Sequence, residues 1–241
     1  MKQETLYLVI PAYNEAENIR EVVAEWYPHI EDKGEKSKMV IADGGSTDNT
    51  LEILYQLQKD YPKLEVMSRP NTDHGTKVIY LYDYAIKNGA DFIFQTDSDR
   101  QTNPEEFAQF WELRNQYEAI IGNRVKRGDG YGRKFVEDVL RMLLYVYFNA
   151  KIPDSGAPFR LMKSSLVKKY LYIMPSDYNL PNAFLTACFA RNKENIKFIP
   201  ITFLNRQGGK NYIDFKKIFS IGVQSLGNFA MLRKRLKTEG L

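Results

Sequence analysis

This sequence has a single cysteine and no long apolar run, and we expect no leader segment at its start. Its one cysteine, Cys188, lies in the apolar stretch AFLTACFA. A lone cysteine forms no internal disulfide, so we expect a reducing, cytoplasmic setting and interpret Cys188 as a buried hydrophobic residue. The nearest approach to a membrane span, VLRMLLYVYF at 139–148, contains Arg141 and is shorter than the ~20 apolar residues required. The first residues, MKQETLYLVIPAYNE, turn polar too early for a signal peptide.

The chain also shows no internal repeat, low-complexity tract or clean interdomain linker. Its 241 residues are enough for one large domain, or for one domain with a small appendage. With 44% apolar and 27% charged residues, the composition is that of a folded globular protein.

Positive charge is concentrated towards the C-terminal end. From Arg206 onward there are eight Lys or Arg residues against two acidic ones, although the net charge of the whole chain is only +4. A basic end of this kind favours an anionic partner such as a phosphate, a nucleic acid or a lipid surface. A solvated basic helix face explains the same pattern equally well.

Apolar segments typical of strands alternate with segments of helical periodicity along most of the chain. Strands are predicted at 6–10, 38–43, 64–69, 90–97, 118–124 and 196–204. Helices are predicted at 14–26, 46–61, 75–89, 103–116, 130–150 and 179–192, with a turn-rich link at 151–163. The alternation indicates an α/β fold with a mostly parallel sheet, helices on both of its faces and amphipathic helices at the C-terminal end.

Polar residues follow four of the predicted strands at the point where each strand ends. These are the segments 11–15, 43–45, 97–99 and 123–124. In open α/β sheets, ligands bind outside the carboxyl ends of the strands. We therefore expect all four segments to face one crevice.

Two carboxylates one residue apart, Asp97 and Asp99, follow the apolar segment FIFQT. On an extended chain they lie on the same side, where they can share a hard divalent cation such as Mg²⁺ or Mn²⁺. Gln101, two residues further on, offers a third oxygen. The alternative is a surface turn whose acids cap the helix that starts at Pro104.

Asp43 ends the second predicted strand and precedes the pair Gly44-Gly45. The glycines permit a tight turn or a close approach of the backbone to a ligand. An acid in this position can accept a hydrogen bond from a ribose hydroxyl or a base N–H, as in dinucleotide-binding folds. A plain strand–turn–helix connection capped by Thr47 or Asp48 fits the segment equally well.

Together, these motifs resemble those of the family 2 glycosyltransferases, which have the GT-A fold. The closest matches are VIPAYNEAENI (9–19), ADGGSTDNT (42–50) and DSDRQTNPEE (97–106). A looser match through IPDSGAPFRLMK (152–163) and FIPITFLNRQGGKN (198–211) is similar to the dolichyl- and polyprenyl-phosphate sugar transferases, the dolichol-phosphate mannose synthase-like group. A nucleotidyltransferase is disfavoured because PAYNE stands where a glycine-rich phosphate loop would follow the first strand.

The resemblance implies a role for each matching residue. Asp97, Asp99 and Gln101 would hold the metal, and Asp99, Asp154 and Arg124 would act in catalysis. The residues implied in binding the nucleotide sugar are Pro11, Tyr13, Glu15, Asp43, Lys77, Asp97, Ser98, Arg124, Arg133, Arg206 and Lys210. Lys77 and His74 are the weaker candidates, and Asn211 follows Lys210 where the family pattern has a Ser-Lys pair.

The implied reaction is an inverting transfer of a sugar from a UDP- or GDP-sugar to an acceptor. The resemblance makes a polyprenyl phosphate the first choice of acceptor. Such an acceptor is already anionic, so it needs no general base. A glycan hydroxyl in capsule or polysaccharide assembly is the alternative, and the base would then be a carboxylate such as Asp154. A nucleotide-sugar-binding protein without turnover is a further alternative, which the intact Asp-x-Asp-x-Gln motif disfavours.

The expected organisation is a catalytic domain at 1–212 and a basic amphipathic helical extension at 213–241. The apolar helix at 135–148 and the basic end are expected to contact the cytoplasmic face of a membrane peripherally. Core packing or a homodimer interface would explain the apolar helix equally well. Many relatives continue into transmembrane helices, so a separate membrane partner is also possible, whereas nucleic acid is not an expected partner.

Overall fold

The structure, a computed structural model, describes residues 3–127, 131–205 and 228–241, and the side chains of 126, 127 and 131–136 lie outside this description. The strands are β1 (Leu6–Ala12), β2 (Lys38–Asp43), β3 (Leu64–Ser68), β4 (Phe92–Gln95), β5 (Ala119–Arg127), β6 (Arg160–Lys163) and β7 (Ile196–Phe203). The α-helices are α1 (Ile19–Trp26), α2 (Pro28–Glu31), α3 (Thr50–Asp60), α4 (His74–Lys87), α5 (Phe107–Leu113), α6 (Tyr131–Phe148), α7 (Ser164–Leu171) and α8 (Pro181–Arg191). A C-terminal helix covers 228–238, and a 3₁₀ turn covers Pro104–Glu106.

The seven strands form one sheet in the order β3-β2-β1-β4-β6-β5-β7. Neighbouring strands are parallel except where β6 pairs antiparallel with both β4 and β5. The predicted α/β fold with a mostly parallel sheet is confirmed. All seven residues of β1 are buried, as expected for a central strand covered on both faces.

Two apolar layers cover the sheet, one on each face. Successive β1 side chains point to opposite faces, so Leu8 packs with α1 and α3 whereas Val9 packs with α4 and α8. Trp26 contacts Phe94, Phe107 and Phe159 in the first layer. Helices α1, α3 and α4 each bury an apolar stripe, as their periodicity predicted. Helices α2 and α7 were not predicted, and α8 buries nine of its eleven residues.

β6 was not predicted, because residues 151–163 were interpreted as a link. Only four residues long, it follows the turn-forming segment DSGAP and has no alternating pattern of its own. The fourth strand covers 92–95 instead of the predicted 90–97. The chain turns after Gln95, and Arg100 takes a left-handed conformation with a φ of 55°.

Helix α6 buries one face and exposes the other. Leu144 and Phe148 are fully buried, and Phe148 packs edge-on against Phe184 and against Phe229 of the C-terminal helix. The opposite face exposes four large apolar side chains, Val139, Met142, Tyr145 and Val146. Across the described part of the chain, no helix is both long enough and apolar enough to cross a membrane. The boundary proposed at 212/213 falls outside the described residues.

Candidate active site

The carboxyl ends of β1, β2, β4 and β5 lie at one edge of the sheet, because these strands run in the same direction. Between β4 and β5 lies β6, which runs the other way. The polar segments that follow the four strands are therefore brought to the same edge, as expected.

The loop after β1 is held against the loop after β2. Asn14 has a φ of 54°, and its Oδ1 accepts a hydrogen bond from the backbone N–H of Thr47 at 2.7 Å. The backbone N–H of Asn14 donates to Ser46 Oγ at 2.8 Å. The two loops thus form one unit, and the Tyr13 ring beside it is exposed to solvent.

Glu15 is buried and acts within this unit. Its Oε2 accepts a hydrogen bond from Asn18 Nδ2 at 2.9 Å, and its backbone N–H donates to Thr50 Oγ1 at 2.8 Å. These bonds tie the start of α1 to the start of α3. A contact between Glu15 and a nucleoside stays a prediction.

Asp43 is fully buried at the end of β2 and organises the turn that follows it. Its Oδ2 accepts hydrogen bonds from the backbone N–H groups of Gly45 (2.9 Å) and Ser46 (3.0 Å), and its Oδ1 accepts from Ser46 Oγ. Gly45 has a φ of 88°, a conformation that costs glycine little. The turn thereby holds the Asp43 carboxylate in a fixed orientation at the sheet edge.

Lys77 is the cation that the structure brings to this turn. Its side chain enters from the first turns of α4, is only 3% exposed, and places Nζ 5.4 Å from the centre of the Tyr13 ring. Burial lowers the pKa of Lys77, and the charges of Asp43, Asp73 and Asp97 partly oppose that effect. A weak candidate from the sequence, Lys77 therefore lies within the electrostatic reach of two predicted site acids.

Gly44 makes room for this ammonium group. A Cβ at position 44 would overlap Lys77 Nζ and would lie 2.9 Å from the carbonyl oxygen of Thr72. In the sequence, the glycine pair after β2 indicated a tight turn or a close approach of the backbone to a ligand. In the structure, the group that approaches Gly44 is the Lys77 side chain.

The segment after β4 is bent, which corrects the expectation that Asp97 and Asp99 lie on an extended chain. Ser98 Oγ donates to the carbonyl oxygen of Pro11 at 3.1 Å, which joins this segment to β1. Asp99 Oδ1 turns back to accept from the backbone N–H of Gln101 at 3.2 Å. Gln101 itself is buried, and its Nε2 donates to the carbonyl oxygen of Leu204 at 2.8 Å.

The donors in this segment fit a hard divalent cation. Mg²⁺ is usually held by one or two carboxylates and completes its shell with phosphate oxygens and water, and Asp97 and Asp99 supply that number. His74 Nε2 lies 3.9 Å from Asp97 Oδ1. In the described ranges, this segment included, no cluster of three or more His, Cys, Asp or Glu side chains is arranged to hold a metal, so phosphate oxygens and water would have to complete the shell. The side-chain nitrogen of Gln101 donates a hydrogen bond to the carbonyl oxygen of Leu204. The side-chain oxygen of Gln101 is therefore the atom that would serve as a metal ligand.

Arg124, on β5, is held by two carboxylates. Its Nε and Nη2 donate to Asp154 Oδ2 and Oδ1 at 2.7 and 2.8 Å, and Nη2 also lies 3.1 Å from Glu137 Oε2 on α6. Asp154 accepts further hydrogen bonds from the backbone N–H groups of Arg124 (3.2 Å) and Gly156 (3.1 Å). Two predicted catalytic residues, Arg124 and Asp154, are thus in direct contact.

Three predicted phosphate contacts cannot be placed in this geometry. Arg206 and Lys210 lie outside the described residues, and the backbone of Arg133 belongs to α6 while its side chain lies outside the description. Conversely, Gln95, Arg160 and Asn182 form a buried polar network behind Asp97 that the sequence motifs did not indicate. The available signal was an arginine inside the apolar stretch PFRLM.

The family follows from a comparison of the sequence with known proteins. The profile of the family described as "Glycosyl transferase family 2" matches residues 7–171, more than half of the chain. The chain belongs to glycosyl transferase family 2. The matched range covers the segments after β1, β2, β4 and β5.

Individual relatives have low sequence identity to this chain. The undecaprenyl-phosphate 4-deoxy-4-formamido-L-arabinose transferase of Edwardsiella ictaluri is 24% identical over 215 residues, which are 89% of this chain and 64% of that protein. The chain therefore spans somewhat less than two thirds of the length of that relative.

Solved structures agree on the fold. Glucosyl-3-phosphoglycerate synthase from Mycobacterium tuberculosis, in complex with Mn²⁺, UDP and glucosyl-3-phosphoglycerate, matches with a TM-score of 0.68 and 17% identity over 95% of this chain and 80% of that one. Staphylococcus aureus TarS matches with a TM-score of 0.56 and 18% identity over 83% of this chain and 60% of that one. At these identities the similarity establishes the GT-A fold alone.

Proposed function

We propose that this glycosyltransferase transfers a sugar from a UDP- or GDP-sugar to a polyprenyl phosphate, with Mg²⁺ or Mn²⁺ as cofactor and inversion at the anomeric carbon. The observation that carries the donor half is the meeting of Tyr13, Asp43, Lys77, Asp97 and Asp99 at one sheet edge. The acceptor half rests on the relative named for transfer to undecaprenyl phosphate, which aligns with 89% of this chain.

The nucleoside would lie between the loops after β1 and β2. The exposed Tyr13 ring offers a face on which a planar base can stack. The buried Asp43 carboxylate offers an acceptor for a ribose hydroxyl or a base N–H, and the Lys77 ammonium offers a donor. These groups are held before a ligand arrives, because the turn at Asp43 and the close packing at Gly44 set their positions.

The diphosphate would lie beside Asp97 and Asp99. Asp97 and Asp99 would hold a divalent cation there, which would supply positive charge against the charge that develops on the leaving diphosphate. Lys77 adds positive charge at the same edge. Arg133, Arg206 and Lys210 are proposed as further phosphate contacts from the sequence alone.

The environment of Asp154 supports an acceptor that is already ionised. Both carboxylate oxygens accept hydrogen bonds from the Arg124 guanidinium, and two backbone N–H groups bind the same carboxylate. Little acceptor capacity is left for the proton of an attacking hydroxyl. We therefore propose that Asp154 positions Arg124, which faces the acceptor or the diphosphate, and that a lipid phosphate attacks without a protein base.

A contact with the cytoplasmic membrane face is supported by two adjoining helices. The outer face of α6 exposes Val139, Met142, Tyr145 and Val146, and the C-terminal helix that packs on α6 exposes its basic side chains. Exposed apolar and basic side chains are both typical of peripheral binding to anionic bilayers. The Met142→Glu variant is expected to reduce sedimentation of the protein with phosphatidylglycerol vesicles, and unchanged sedimentation would contradict this contact.

The test of the reaction is a panel of UDP- and GDP-sugars incubated with the protein, with and without a short polyprenyl phosphate and with or without EDTA. We expect a glycosyl lipid phosphate, detected by mass spectrometry, only when both the lipid phosphate and the divalent cation are present. Transfer to glycan hydroxyls alone would overturn the lipid acceptor, and full activity in EDTA would overturn the metal.

Asp99→Ala tests the site within the same assay. It is expected to abolish transfer, whereas Asp60→Ala, which removes an exposed acid at the end of α3, is the matched control and is expected to leave transfer unchanged. Full activity of Asp99→Ala would show that the cation is held elsewhere.

A further inference from the structure

Arg160 is the largest fully buried side chain in the described protein. It lies on β6, opposite Gln95 on β4 and Ile121 on β5. Its Nε and Nη2 donate to the carbonyl oxygen of Ala157 at 3.0 and 2.7 Å, and its Nη1 donates to the carbonyl oxygen of Asn182 at 3.2 Å. Neutral groups thus solvate a guanidinium that the surrounding apolar layer would otherwise exclude.

Asn182, at the start of α8, extends this network towards β4. Its Nδ2 donates to Gln95 Oε1 at 2.8 Å, and the hydroxyl of Tyr82 lies 2.6 Å from Gln95 Oε1 and 2.9 Å from Asn182 Oδ1. The side chains of Tyr82, Gln95, Asn182 and Arg160 are all buried. The network therefore joins α4, β4, β6 and α8 beneath the sheet edge.

Gln95 carries the network to the candidate metal site. Its Oε1 faces two donors, so its Nε2 must point the other way, towards Asp97 Oδ1 at 3.4 Å. A flipped amide would place its NH₂ group against Asn182 Nδ2 and its oxygen against the Asp97 carboxylate, which is repulsive at both ends. Asn182 and Tyr82 thus determine which atom of Gln95 meets Asp97.

A buried network of this kind commonly costs more to form than apolar packing, and in some proteins it specifies one arrangement of the core. Groups that hydrogen-bond to metal ligands set the orientation of those ligands, and their loss typically weakens metal binding by 10–100-fold. In the described interior, the network lies between the two apolar layers and ends at Asp97.

We infer that Gln95 and Asn182, anchored by Arg160, are positioning residues that hold the Asp97 carboxylate in the orientation used for the divalent cation and the donor diphosphate. This inference rests on the proposed metal-dependent glycosyltransferase function. The chain achieves the arrangement by inserting the antiparallel strand β6 beside β4, which places Arg160 directly opposite Gln95.

Gln95→Leu and Asn182→Ala test the two connections of the network. The first removes the amide that faces Asp97, and the second removes the donor that holds this amide in place while keeping the backbone carbonyl for Arg160. The measurement is Mn²⁺ affinity by calorimetry and by electron paramagnetic resonance, on folded protein, with Mn²⁺ alone and with UDP or GDP present. We expect Gln95→Leu to weaken Mn²⁺ binding about ten-fold and Asn182→Ala to weaken it several-fold.

Thr186→Val is the matched control for a merely structural effect. Thr186 Oγ1 belongs to the same network, being 3.3 Å from Arg160 Nη1 and 2.8 Å from the carbonyl oxygen of Asn182, but it makes no contact with Gln95 in the described structure. It is expected to lower the melting temperature while leaving Mn²⁺ affinity within two-fold of the wild type. Equal losses of affinity in Thr186→Val and Gln95→Leu would overturn the inference.

The outcomes also separate this inference from the proposed function. If the wild type binds Mn²⁺ with nucleotide and Asp99→Ala abolishes that binding, the proposed metal site stands. Unchanged affinity in both Gln95→Leu and Asn182→Ala then overturns the positioning network alone. If the wild type binds no Mn²⁺ with either nucleotide, the proposed function fails first and the inference fails with it.

Discussion

Arg124 and Asp154 form a bidentate ion pair, with Nε–Oδ2 and Nη2–Oδ1 distances of 2.7 and 2.8 Å. Both side chains are almost inaccessible to solvent. The pair joins β5 to the turn that precedes β6. Buried pairs of this kind lose little when both partners are replaced by apolar groups, but much when one charge is left alone.

Arg124→Met is therefore expected to destabilise the protein by about 3–5 kcal/mol, because it leaves the Asp154 carboxylate buried without its guanidinium. The free energy of unfolding from urea denaturation measures this loss. Arg141→Met provides the comparison, since Arg141 pairs with Asp138 at 3.3 Å in a solvent-exposed position. Equal losses in the two variants would mean that the Arg124 pair contributes no more than a surface pair.

Gly44→Ala is expected to weaken nucleotide binding at least ten-fold. The new methyl group would displace the Lys77 ammonium and press against the carbonyl oxygen of Thr72. UDP and GDP affinities, measured by calorimetry, test this expectation. Gly89→Ala is the control: Gly89 has a φ of 77° and open space around it, so this change is expected to lower stability and leave nucleotide binding intact. A Gly44→Ala variant that binds nucleotide like the wild type would remove Lys77 from the pocket.

Lys77→Met is expected to make the protein more stable and less able to bind nucleotide. Burial lowers the pKa of Lys77 in the folded state below its ordinary value of 10.5, so the unfolded chain binds the proton more tightly. The stability of the wild type should consequently rise with pH between the lowered pKa and 10.5, and this rise should be absent from the variant. Thermal melts across that pH range are the measurement. A pH dependence shared by both proteins would assign the effect to another group.

Gln101→Met separates two roles of one side chain. Loss of the hydrogen bond to the carbonyl oxygen of Leu204 is expected to cost about 1 kcal/mol of stability. Loss of the amide oxygen is expected to weaken Mn²⁺ binding as well, if Gln101 is the third ligand. A drop in melting temperature with unchanged Mn²⁺ affinity would identify Gln101 as a structural link between the segment after β4 and the end of β7.

Much of the fold was predictable because each long element carries its own pattern. The strand at 38–43 was predicted with the observed bounds, since the apolar run MVIA ends abruptly at Asp43. Helix α4 was predicted at 75–89 and observed at His74–Lys87, because its start and its Gly89 terminus are local signals. The strand β6 was not predictable in this way, because four residues after a turn contain too little periodicity to distinguish a strand from a link.

The sequence by itself determined the residue types at the candidate site and their order along the chain. Parallel strands bring their carboxyl ends together whatever the details of packing, so PAYNE, DGGSTD and DSDRQ had to meet at one edge. Only the tertiary structure decided the partners within that edge: Lys77 in the space left by Gly44, Arg124 bound to Asp154, and Gln95 turned towards Asp97 by Asn182. Apart from the contact between Gln95 and Asp97, these contacts join residues that are 30 or more positions apart. The hydrogen bonds that orient buried side chains depend on three-dimensional distances that no local pattern encodes.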